Sequence, residues 1–117
     1  AKCFSNLVVG KNCHIRKNSF FDLRDQIVIG DNVILSMNTS IITHLDLGQA
    51  GMTYLYETEV KKAIIDDGVY VGANCLILMG VIINQNSLIG ASSLVNKSIP
   101  ANYLAFGNPI KLIKSLG

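Results

Sequence analysis

The sequence predicts an all-β chain wound as a parallel β-helix, a slender prism of short strands, and three observations carry that prediction. First, residues 65–100 divide without remainder into six hexads, IDDGVY, VGANCL, ILMGVI, INQNSL, IGASSL and VNKSIP, each opening with Ile or Val. Ile, Leu, Val and Phe make up 41 of the 117 residues, so six apolar openings in one register have a chance probability of roughly 0.002. Second, the fifth position is small or aliphatic every time: Val69, Cys75, Val81, Ser87, Ser93 and Ile99. Third, a period of six matches neither a helix face at 3.6 nor a plain strand at 2.0, and hexapeptide self-similarity is the mark of a parallel β-helix.

In such a prism the first residue of each hexad points inward and the fifth fills a corner. The second is expected to make the bend, which Gly72 and Gly90 allow freely and Asn84 and Asn96 tolerate through positive φ. Three hexads close one turn, so these residues make two coils. A looser version of the pattern starts at Val9: VGKNCH, IRKNSF, then the eight-residue FDLRDQIV, then IGDNVI, LSMNTS and IITHLD. The two extra residues need only a wider turn, for which Asp25 and Gln26 are polar enough. All twelve openings are Val, Ile, Leu or Phe, which gives about four coils.

Between the two pairs of coils the period breaks at about residues 45–62, LDLGQAGMTYLYETEVKK. A loop this long inside a compact repeat is usually functional. It reads either as an ejected surface insertion or as a flap over a neighbouring site. After Pro100 the register ends, Gly107 and Pro109 mark a turn, and Ile110, Leu112, Ile113 and Leu116 suggest a short strand or helix packed along the prism.

No linker divides the 117 residues, so 1–117 is expected to be a single domain. It begins at Ala1 without Met, which leaves room for a leader or a preceding segment. Coils bury surface only against neighbouring coils, so a short stack is expected to associate through one face. The net charge of +2 is too small to imply nucleic acid. No apolar run approaches 18 residues, which predicts no membrane span. Three cysteines in no metal-like spacing, one of them at an inward position, suit a reducing compartment, the cytoplasm.

His44 is the leading candidate for chemistry. It follows the strand-like run SIIT where the coil meets the loop, and an imidazole titrating near neutrality is suited to take a proton from a hydroxyl. Asp46, or a backbone carbonyl, could orient the ring. His14, at a sixth position, is expected at the surface. Two histidines speak against zinc, which in catalytic sites takes three protein ligands, so no metal is expected. There is no nucleophile elbow, phosphate loop or G-x-G-x-x-G run. Lys97, Lys111 and Lys114 gather at the end of the sequence, as solvated charges or as a seat for phosphate.

Taken together, IVIGDNVILSMNTSIITHLD and VYVGANCLILMGVIINQNSLIGASSLVNKSIPANYLAFGNPIKLIK closely resemble the hexapeptide-repeat acyltransferases with a left-handed β-helix, over about residues 9 to 114. The resemblance is strongest to the sugar O-acetyltransferases: maltose and galactoside acetyltransferases and those that decorate capsular or exopolysaccharide. It alone supplies the left hand, since general crossover rules favour the right. It implies a homotrimer with sites between subunits, and direct transfer of acetyl from acetyl-CoA to a hydroxyl or amine with His44 as base. It further implies Ala73 and Ala91 along the pantetheine arm, Asn96 and Lys97 near the nucleotide end, Pro109 beside the adenine, and Lys111 and Lys114 near the phosphates. Arg16 stands where relatives often hold an acceptor-binding asparagine, and Asp22 matches an acid of the polysaccharide branch, so these two are the candidate acceptor contacts. Ser92 and Asn84 replace glycines of the usual pattern. Two alternatives remain open: an acetyltransferase for an amino sugar or an amino acid such as serine, and a noncatalytic trimeric scaffold.

Overall fold

The computed structural model describes residues 6–45 and 59–117. The hexads form coils in the expected register. Coil one is β1 (Leu7–Val9), β2 (His14–Ile15) and β3 (Phe20–Phe21), and coil two is β4 (Ile27–Ile29), β5 (Ile34–Leu35) and β6 (Ser40–Ile41). The chain then leaves the prism through β7 (His44–Leu45) and returns through β8 (Glu59–Val60), which pair antiparallel. Coil three is β9 (Ala63–Ile65), β10 (Tyr70–Val71) and β11 (Leu76–Ile77), and coil four is β12 (Ile82–Ile83), β13 (Leu88–Ile89) and β14 (Leu94–Val95).

Each strand pairs in parallel with its counterpart one coil away, which makes three faces: β1, β4, β9 and β12; β2, β5, β10 and β13; β3, β6, β11 and β14. The hexad openings stack in columns, such as Phe21, Ile41, Ile77 and Val95 up the third face. The fold is the left-handed parallel β-helix. Among the described residues no helix is long and apolar enough to cross a membrane.

The inward positions behave as the pattern requires. From coil two upward every opening is buried, from Ile29 to Val95, and so are the fifth positions Val33, Thr39, Val69, Cys75, Val81, Ser87, Ser93 and Ile99. The hydroxyls among them bond to corner carbonyls: Ser87 Oγ donates to Pro100 O at 2.7 Å and Ser93 Oγ to Gly90 O at 2.8 Å. Buried hydroxyls thus fill space without an unmet bond.

The bend lies elsewhere than the second position. Positive φ falls on the fourth: Asn12, Asn18, Asn32, Asn38, Asn74, Asn86 and Ser92, with Gly68 and Gly80 in the same role. Asn84 and Asn96 are not among these residues, nor are Gly72 and Gly90. The second-position glycines serve close approach instead. A Cβ on Gly72 would stand 2.6 Å from Ala91 N and 2.9 Å from its Cα, so the stacked coils leave no room for a side chain there.

The tail is a strand hairpin. β15 (Tyr103–Phe106) adds to the second face, with Ala105 beside Ile89, and β16 (Lys111–Ser115) folds back antiparallel on it. Ile99 bridges to Ile83, so a fifth coil is begun above the fourth. Ile110, just before β16, is buried.

Candidate active site

His44 sits at the corner where the third face would turn back to the first, at the fourth position of its hexad. At the same corner one coil above, Gly80 holds that position in a left-handed bend; here the chain is instead ejected into β7. One coil below, Asp22 follows β3 at the same corner, held by its amide on Ile41 O at 2.9 Å. The widened coil brings the two side chains together, and Asp22 Oδ2 meets His44 Nδ1. The ring is 30% exposed and the carboxylate 11%, so the imidazole has access to solvent while its partner is largely enclosed.

Burial works against the Asp22 charge. The backbone amide of Thr43, the hydrogen bond and charge of His44 and the Arg24 amide together outweigh it and hold the carboxyl below its ordinary value of 3.8. An ionised Asp22 accepts at Nδ1, so the ring carries its proton there and keeps its lone pair on Nε2. That is the tautomer a general base needs.

Thr43 joins the pair to its surroundings. Its amide donates to Asp22 Oδ2 at 3.0 Å, its Oγ1 donates to Asp22 O at 2.7 Å, and the Asp25 amide donates to that same Oγ1 at 3.0 Å. Its carbonyl accepts from Lys61 N at 2.9 Å, where the loop returns. The two extra residues of FDLRDQIV therefore shape a turn that wraps Thr43. Sequence reading singled out neither this threonine nor the Asp22 contact with His44. The available signal was the shared second hexad position of Asp22 and Ile42, which stacks Asp22 one coil below the residue two before His44.

Asp46 lies outside the described residues. Arg16 is exposed at the other edge of the third face, in the turn between β2 and β3. Ala73 and Ala91 lie directly above one another at that second edge, where Ser92 N donates to Ala73 O at 2.8 Å. Pro109 is exposed in the β15–β16 turn at the same edge; in that turn Gly107 O accepts from Leu94 N at 3.0 Å. Asn96 and Lys97 are exposed at the His44 edge, two coils above it. Lys111 and Lys114 are exposed on β16. Of the expected coenzyme residues, Ala73, Ala91 and Pro109 thus lie at one edge of the third face, Asn96 and Lys97 at the other, and Lys111 and Lys114 on the strand that extends the second face. Among the described residues no group of three or more His, Cys, Asp or Glu is placed to hold a metal ion.

A coiled prism built on hexads, with a histidine and carboxylate paired at an interrupted corner, defines the class. Residues 6–42 match the sequence signature described as the hexapeptide repeat of succinyl-transferase. The chain belongs to the hexapeptide-repeat, left-handed β-helix superfamily. Within it, the chain is 40% identical over 111 residues to the galactoside O-acetyltransferase of Lactococcus lactis, covering 86% of this chain and 51% of that protein. It superposes on a maltose O-acetyltransferase from Clostridium difficile with a TM-score of 0.87 and 35% identity, over 96% of this chain and 60% of that one. A galactoside acetyltransferase in complex with coenzyme A gives 0.88 and 30%, over 97% and 56%. The chain spans about half the length of the curated relatives it matches.

Proposed function

We propose that this chain carries the catalytic β-helix of an acetyl-CoA-dependent O-acetyltransferase that acts on a sugar hydroxyl. The observation that carries the reading is the Asp22–His44 pair, a partly exposed imidazole oriented through Nδ1 at the interrupted corner of this fold. Similarity to galactoside and maltose acetyltransferases supports the sugar acceptor, and the coenzyme A complex of one relative supports the donor.

In this reading His44 Nε2 takes the acceptor's hydroxyl proton as its oxygen attacks the thioester carbonyl. The C–O bond forms, the C–S bond breaks, and the departing sulfur takes the proton back from the imidazolium to leave as coenzyme A thiol. Asp22 steadies the ring and its transient charge throughout. No covalent acyl-enzyme is involved.

The coenzyme would lie along the edge lined by Ala73, Ala91 and Pro109, where two small side chains leave room for the pantetheine arm. Lys111 and Lys114 would reach its nucleotide end, Asn96 and Lys97, at the other edge, would do so from the neighbouring copy, and Arg16 would meet the acceptor. Because His44 occupies the opposite edge of the third face, three copies arranged about an axis facing that side would set one copy's alanine edge against the next copy's His44. That arrangement is the homotrimer we propose. The co-substrate and the free thiols of Cys13 and Cys75 suit the cytoplasm.

His44→Ala should lower turnover by at least ~10²-fold while coenzyme binding is retained. Coenzyme A at 100 times its dissociation constant should add about 2.7 kcal/mol to stability, read as a thermal shift. Release of free thiol from acetyl-CoA, measured across sugars, nucleotide sugars, amino sugars and serine, identifies the acceptor. A chain that neither shifts with coenzyme A nor releases thiol is a scaffold, and the proposal fails.

A further inference from the structure

We propose that Thr43 is a positioning residue for His44, acting through Asp22. At the third hexad position Lys11, Lys17, Asp67, Gln85, Ala91 and Lys97 are exposed and no other described residue there is buried; Thr43 is fully buried. Shape alone would be met by valine, so the hydroxyl has to be explained.

That hydroxyl closes the widened turn. It donates to Asp22 O at 2.7 Å and accepts from Asp25 N at 3.0 Å, pinning the two ends of the segment from which the Asp22 carboxylate projects. The Thr43 amide, at 3.0 Å, shares the same Asp22 Oδ2 that meets Nδ1. One residue therefore fixes both the backbone and the oxygen that set the ring. Without the hydroxyl, a partly buried carbonyl and a partly buried amide lose their partner, and the turn must move to find others. The carboxylate moves with it, and a misplacement of about 1 Å in a catalytic array can cost up to ~10²-fold in rate.

The kinetic arm of the test rests on the acetyltransferase reading, and a spectroscopic arm does not. In the full chain, Thr43→Val should lower kcat about 10-fold with KM for both substrates unchanged, and Thr43→Ser should stay within about two-fold of the parent. The downfield proton resonance of His44 Nδ1, assigned by its absence in His44→Ala, should be lost or displaced in Thr43→Val and kept in Thr43→Ser. If Thr43→Val does not fold, Thr43→Ala, which admits water to the two backbone groups, is judged on the same readouts. Parental kcat and resonance in the valine variant would overturn the proposal. So would lost kcat with the resonance intact, or a serine variant as impaired as valine. If the parent transfers no acetyl group, the functional reading fails while the resonance still decides the role of Thr43.

Discussion

The second and third edges of the prism are built from one repeat and serve opposite ends. At the edge of Gly72, Ala73, Gly90 and Ala91 each coil repeats the last, backbone hydrogen bonds run straight up the stack, and glycines let the coils touch. At the His44 edge the repeat fails twice, by two extra residues after Phe21 and by the loop after Leu45. Those two failures produce the only His–carboxylate contact among the described residues. Regularity here builds a wall with small side chains along which a long ligand could lie. Irregularity brings together side chains that a strict 18-residue coil would keep in separate columns.

The sharpest way to test that division is to damage each region and see what is lost. Ile77→Ala removes a fully buried opening from the third face and should cost about 2–5 kcal/mol of stability, measured by denaturant unfolding. The folded fraction should keep its kcat. His44→Ala should do the reverse, a loss of at least ~10²-fold in turnover with unfolding little changed. Were the two variants to lose activity and stability in the same proportion, the wall and the corner would not be separable parts.

Asp22→Asn probes the corner more gently. The amide fills the same space but offers Nδ1 a weaker acceptor, or a donor that reverses the ring's tautomer, so turnover should fall by about 10-fold or more while coenzyme affinity is unchanged. It should also alter the acid limb of stability. The Asp22 carboxyl sits below its ordinary 3.8 in the folded chain, so its contribution is present in full above that value and is lost as pH falls through the lower, folded one. The difference in unfolding free energy between parent and Asp22→Asn should therefore shrink below about pH 4. A difference that stays constant across that range would mean the carboxylate is not preferentially ionised in the folded state.

Much of this was legible in the sequence because core positions announce themselves by hydrophobicity. The twelve openings, the fifth-position corners, the interruption and His44 at its border all follow from side-chain type at fixed spacing. The bend did not, because glycine has two uses: at Gly72 it marks contact between coils, and the turn is made two residues later by asparagines that look like ordinary surface polar residues. Thr43 was silent for a related reason. A threonine in a strand-rich run reads as β-propensity, and only the stacked turn of coil one shows that its hydroxyl donates to Asp22 and accepts from Asp25. Asp22 could be matched to a family position, but its contact with His44 depends on how the turn after it folds around Thr43.

The smallest expected effect tests that reassigned bend within the regular wall. Asn74 sits at φ 59 and is exposed. Alanine there must hold its Cβ against the following carbonyl, without the local hydrogen bonding that helps asparagine adopt the left-handed region, and should cost about 1 kcal/mol. Glycine relieves the steric conflict but enlarges the freedom of the unfolded chain, so Asn74→Gly should lie within about 0.5 kcal/mol of the parent. Because the turn bears on folding and not on proton transfer, turnover per folded molecule should be the same in both variants. An alanine variant as stable as the glycine one would show that the left-handed turn is not the constraint at this position, and that the asparagine column owes its presence to something other than the backbone.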